Sequence, residues 1–143
     1  MAQSGMTIKD LSKIMKELDI AMLATKTHGG KLGARPMSNN RDVEFDGDTF
    51  FFSRGDTTTI ADIKSDPKVG VTYADDRDGI YIALQGEAKL HTDKALLKEH
   101  WKPALEKWFE DGLQTDGLTL IEVNATRAHY WKGREEGEIV IGR

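Results

Sequence analysis

The sequence predicts a mainly β (α+β) architecture, an antiparallel barrel with peripheral helices. Six or more short strand-like runs are separated by turn signals, and few helical stretches lie between them. With 143 residues and no repeat, low-complexity tract or linker, the chain reads as one domain over residues 1–143, large enough for one core.

Residues 7–18 place Ile8, Leu11, Met15 and Leu18 on one helical face, and Thr7 with Asp10 has capping-box spacing. Residues 20–27 read as a strand, which His28-Gly29-Gly30-Lys31 turns into a second strand carrying Arg35. Pro36 lacks an N–H, so that strand lies at an edge or carries a bulge. Val43-Glu44-Phe45 and residues 49–53 read as a hairpin around Asp46-Gly47. Arg54-Gly55-Asp56 then turns the chain into Thr57-Thr58-Thr59, where Thr59 and Asp62 have the spacing that opens a short helix. Residues 69–73 form a short strand after Pro67. Over 79–90, Ile80, Ile82 and Leu84 alternate with Tyr81, Ala83 and Gln85, the period of a half-buried strand. Thr92 opens a long helix that Pro103 breaks into a second segment. Residues 118–123 are another strand, and Tyr130-Trp131 closes the sheet. Residues 75–78 read as a solvated turn, and Glu135-Glu136-Gly137-Glu138 as an exposed acidic tail.

Composition removes several classes of function. A net charge of −4 opposes a nucleic-acid or anionic-membrane surface, because those partners select a basic face. The longest apolar run is far shorter than a membrane span, and the N-terminus has no signal-peptide pattern. Zero cysteines exclude disulfides, thiol catalysis and cysteine-ligated metal, and an intracellular, cytoplasmic protein follows as the simplest expectation. His28, His91, His100 and His129 lack metal-ligand spacing, so no metal site is expected. No G-x-S-x-G elbow supports a serine hydrolase, and Gly29-Gly30 lacks the helix that a dinucleotide fingerprint needs.

The stretch 35–62 is suited to a phosphate. A helix start exposes unpaired N–H groups and a positive dipole end. Thr57, Thr58 and Thr59 add hydroxyls there, and Arg35 supplies a full charge from a neighbouring strand. A surface arginine and a plain helix cap are the competing explanations. Trp101, Trp108 and Trp131 are residues of a type more often found as core or interface anchors than as ligand contacts.

The order Ala24-Thr25, Gly33-Ala34-Arg35-Pro36-Met37, Phe51-Phe52-Ser53, Thr57 to Ile60, Ile82 to Ala88, Trp108-Phe109 and Tyr130-Trp131-Lys132-Gly133 carries a resemblance. The chain resembles the pyridoxamine 5'-phosphate oxidase-like split-barrel flavoproteins over roughly residues 7–133, and within them the bacterial general stress protein subgroup. The resemblance implies a split β-barrel binding FMN at a homodimer interface. It places Arg35 at the FMN phosphate, with Pro36, Met37 and Ser38 following along the flavin's polar edge. It makes Phe52 and Ser53 a lining pair beside Thr57. Thr58 and Thr59 stand where true oxidases carry an Arg-Lys phosphate clamp, and Tyr81 stands where a glutamine approaches the ring. Trp108 and Trp131 are the implied flavin-side tryptophans.

Asn40 replaces the lysine that closes the first oxidase motif, and the substrate-handling Arg-Leu-His-Asp-Arg segment is absent, the chain reading Arg134-Glu135-Glu136-Gly137-Glu138. Pyridoxamine-phosphate oxidation is therefore not expected, and catalytic residues stay unassigned. Three functions remain open: an FMN-dependent oxidoreductase, a non-enzymatic flavin-binding stress module, or a split barrel using haem or a deazaflavin.

Overall fold

The computed structural model describes residues 5–27, 29–39 and 44–142. Their order is α1 (Ile8–Met15), β1 (Ile20–Lys26), β2 (Leu32–Ser38), β3 (Asp48–Arg54), α2 (Thr58–Ser65), β4 (Lys68–Asp75), β5 (Ile80–His91), α3 (Lys94–His100), β6 (Leu118–Lys132) and β7 (Glu135–Val140), with 3-10 turns at Pro103–Lys107 and Gly112–Gln114. One antiparallel sheet runs β2-β1-β4-β5-β6-β3, and β7 joins β6. The end strands β2 and β3 approach within 8 Å at their Cα atoms without pairing, so the barrel stays split along that seam. Pro36 sits on edge strand β2 opposite Met22, where its missing N–H costs no ladder bond.

The core fills the inner face: Leu23, Phe51, Val71, Ile82, Leu84, Ile121 and Val123 are almost wholly buried. Helix α1 seals one side with Leu11 and Met15, started by the expected Thr7–Asp10 capping box. A second apolar cluster lies on the outer face, where segment 94–117 brings Leu97, Leu105 and Phe109 onto Phe52, Leu118 and Leu120.

Strand β6 changes phase once. Ala125 pairs with Gly86 and Arg127 with Gln85, which leaves Thr126 unmatched. Before this bulge Ile121, Val123 and Ala125 face inward; after it Ala128 and Tyr130 do. A Cβ on Gly86 would collide with the Asn124 carbonyl, so the bulge needs glycine opposite it.

Four sequence expectations change. β3 pairs with β6, not with a local partner: residues 44 and 45 are not strand, and Val43 lies outside the described residues. The helix after the threonines is capped by Thr57, whose Oγ1 accepts from the Ile60 amide at 3.4 Å, while Asp62 faces the barrel. The long helix from Thr92 is a seven-residue helix capped by Asp93, followed by the Pro103 turn. Glu135 to Glu138 belong to β7, where Glu138 pairs with Arg127 at 3.3 Å and Glu136 with His129 at 2.6 Å. His28 and Asn40, singled out in the sequence, lie outside the described residues.

Candidate functional site

A cavity of about 310 Å³ opens at the seam between β2 and β3. Arg35, Pro36, Met37 and Ser38 line it from β2, Phe52 and Ser53 from β3, and Thr57 and Thr59 from the start of α2. Leu105, Trp108 and Phe109 close it from the segment on the outer face. The local pattern explains the meeting: edge strand β2 needs no partner on that side, and the turn after β3 aims α2 at the same gap.

Arg35 points inward beneath α2. Its Nη1 donates to the Leu23 carbonyl at 3.2 Å and to Thr25 Oγ1 at 2.7 Å; its Nη2 lies 3.5 Å from Asp62 Oδ2. Thr25 Oγ1 in turn donates to Asp62 at 2.9 Å, closing a ring that ties β1, β2 and α2. A guanidinium carries five donors, so a ligand in the cavity can still be met. Thr57 and Ser53 hydroxyls lie 3.1 Å apart and both donate to the Arg54 carbonyl. The amides of Thr58 and Thr59 occupy the first two positions of α2, which have no intrahelical acceptor. Cationic and amide donors thus share the cavity with an apolar wall made by Met37, Phe52, Leu105, Trp108 and Phe109.

Nine of the twelve residues singled out in the sequence line this cavity: Arg35, Pro36, Met37, Ser38, Phe52, Ser53, Thr57, Thr59 and Trp108. Thr58 contributes by its backbone position, its side chain being exposed. Tyr81 and Trp131 lie elsewhere. They are directly paired across β5 and β6 and line a second hollow of about 510 Å³, with Ile20, Met22, Thr72, Ala74 and Ala83. Ile20 borders both hollows, so they adjoin. Tyr81 donates to Asp76 at 3.1 Å, and Trp131 stacks on His129 with ring centres 4.4 Å apart. The Asp76 carboxylate holds the Tyr81 hydroxyl above its ordinary pKa, both through that hydrogen bond and by its charge.

Sequence reasoning missed Arg54, Leu105, Phe109 and Ile20. The turn signal of Arg54-Gly55-Asp56 concealed Arg54, whose guanidinium lies 5.4 Å above the Phe109 ring. Its role depends on a segment fifty residues away, so no local pattern reveals it. Among the described residues no group of three His, Cys, Asp or Glu could hold a metal ion, and no helix is long and apolar enough to cross a membrane.

The fold has close counterparts. A Clostridium acetobutylicum protein related to general stress protein 26, of the pyridoxinephosphate oxidase family, superposes with a TM-score of 0.83 at 16% identity over 94% of both chains. A heme binding protein from Mycobacterium smegmatis has a TM-score of 0.74 at 12% identity, covering 97% of this chain and 60% of that one. In sequence, the chain is 28% identical to general stress protein 26 of Bacillus subtilis over 78% of its length and 80% of the relative's. It is 26% identical to protein bli-3 of Neurospora crassa over 86% of its own length, and spans 63% of that relative. The model of the family described as pyridoxamine 5'-phosphate oxidase like matches residues 6–142, and the chain belongs to that family.

Proposed function

We propose that the seam cavity holds the phosphate and ring of FMN, and that the protein is a cytoplasmic flavoprotein of one domain with oxidoreductase chemistry toward an unassigned substrate. The observation that carries this reading is the polarity of the cavity. Arg35 and the start of α2 supply donors, and Met37, Phe52, Leu105, Trp108 and Phe109 supply apolar walls. Here Arg35, the Thr58 and Thr59 amides and Ser38 would hold the phosphate and polar edge, with Phe52, Trp108 and Phe109 against the ring. A bound flavin supplies the electron transfer; the chain binds it, orients it and limits water access.

A cavity of about 310 Å³ is at the lower end for a small-molecule site and cannot cover most of so large a ligand. We assign the missing walls to a second copy related by a twofold axis, docked through the adjoining hollow of Tyr81 and Trp131. A monomer that still binds one FMN per chain by analytical ultracentrifugation would remove this assembly.

Mass identification of the chromophore released from denatured protein tests the cofactor. Arg35→Ala should weaken FMN by about 10- to 150-fold, the value of a hydrogen bond to a charged group, and leave riboflavin nearly unchanged. Equal losses for both would assign Arg35 to its Asp62–Thr25 ring alone. The name of the mycobacterial relative keeps haem as a second reading, yet the cavity lining contains no histidine, tyrosine or cysteine and offers iron only the Met37 thioether. Reduction of the bound flavin by NADH or NADPH at a competent rate separates the oxidoreductase from a non-enzymatic flavin-binding stress module.

A further inference from the structure

We propose that Arg54 supplies the cavity with an uncompensated positive charge beside Arg35, and with it a second share of the preference for a phosphorylated over an unphosphorylated ligand. The proposal rests on the flavin reading above and adds a residue to it.

Arg35 is the obvious cation, but its charge is largely answered inside the protein. Asp62 is 8% exposed and sits 3.5 Å from Nη2, so a ligand approaching Arg35 meets a guanidinium with its counter-ion already in place. In a partly buried setting that carboxylate offsets much of the attraction a phosphate dianion would feel. Arg35 therefore orients an anion more than it attracts one. The hydroxyls nearby add little charge and are partly committed, since Ser53 and Thr57 both donate to the Arg54 carbonyl at 3.0 and 3.1 Å. Thr59 lines the cavity and is neutral.

Arg54 is the other cation in the lining. Among the described residues it has no ion-pair partner; its guanidinium rests over Phe109 at 5.4 Å. The base of its side chain is fixed as well. Besides the two hydroxyls on its carbonyl, the next residue, Gly55, donates its amide to the Gly117 carbonyl at 2.7 Å. Stacking on an aromatic face holds an arginine in place while its planar N–H fork stays free at the edge, where it can meet phosphate oxygens. The two arginines thus divide the work: Arg35, paired with Asp62, sets direction, and Arg54, uncompensated in the lining, supplies the field.

The test titrates the apo-protein with FMN, riboflavin and inorganic phosphate, read by flavin and tryptophan fluorescence at low and moderate salt. Arg54→Gln should lose about 10-fold or more in FMN affinity with riboflavin unchanged. Its FMN binding should also depend less on salt, and Arg54→Lys should retain most of the preference. FMN affinity unchanged in Arg54→Gln overturns the proposal and leaves the flavin reading standing. Equal loss of FMN and riboflavin also overturns it, because Arg54 would then act through Phe109 on the cavity's shape. Wild-type protein that takes no FMN but binds inorganic phosphate in an Arg54-dependent way removes the flavin reading and keeps the anion assignment. Binding of neither FMN nor phosphate by the wild type overturns both.

Discussion

The outer face of the sheet is treated in two opposite ways toward the two ends of the long strand β6. At one end, Phe50, Phe52, Leu118 and Leu120 are covered by the chain's own segment 94–117, with Leu97, Leu105 and Phe109 buried in the contact. At the other end, Ile20, Met22, Tyr81 and Trp131 stay 38–43% exposed around the second hollow. Both ends are rich in large apolar side chains, yet among the described residues only one is covered by the chain itself. In the proposed twofold assembly, this exposed set is where the second copy docks. The seam cavity lies where the two regimes meet, with Phe109 on the covered side and Ile20 on the bare side.

The comparison breaks most sharply at Leu120, which is fully buried beneath the covering segment. Leu120→Ala should cost about 2–5 kcal/mol by lost burial and a residual cavity. Urea unfolding should report this loss at any protein concentration. A concentration-dependent loss would place Leu120 in an interface and erase the distinction between the two ends.

On the bare side, Trp131→Glu should spare the subunit's fold and act on assembly. An aromatic anchor at an interface centre is worth about 2 kcal/mol or more, roughly 30-fold in the dissociation constant. Sedimentation should show the shift, with FMN affinity falling alongside it. Unchanged association in a folded variant would leave this hollow without the proposed second copy.

The smallest effect sharpens the covered side. Burial pushes the Glu122 carboxyl up, but hydrogen bonds from Asn124 at 2.6 Å and His91 at 2.8 Å outweigh it and bring its pKa below the ordinary 4.5. A lowered folded-state pKa means stability present above about 4.5 and lost as pH falls through the folded value. Glu122→Gln should therefore be less stable than wild type near neutral pH, the gap closing in acid. A gap that stays constant in urea midpoints down to acid pH would mean that the carboxylate's charge contributes nothing.

What the sequence made legible follows from how local each signal is. The Thr7–Asp10 box and the Ile80–Ile82–Leu84 alternation are complete within a few residues, and both stand in the fold. The strand of Phe51 was legible, but its partner was not, because period two specifies a face and not a neighbour. Three consecutive threonines are equivalent as caps; Thr57 takes the role because Asp62 is committed to Thr25 and Arg35, a contact across the barrel. The acidic run at 135–138 imitates a solvated tail, while in the fold it forms a charged edge strand, which discourages further pairing. In the candidate site, residues from β2, β3 and α2 were readable because their motifs are contiguous. Arg54 and Phe109 were not, because each acquires its place from the other.

Thr126, the unmatched residue opposite Gln85 and Gly86, makes strand β6 a message with one shift of reading frame. Substitutions there change only a side chain. Removing Thr126 itself would leave Arg127 after Ala125 in plain alternation, with Ala128 and Tyr130 still inward and only the bulge's bend lost. Inserting one residue after Ala128, by contrast, would send His129 and Trp131 into the barrel and Tyr130 out to water. For this half of the molecule, length matters more than spelling: that one added residue turns the bare aromatic face inside out.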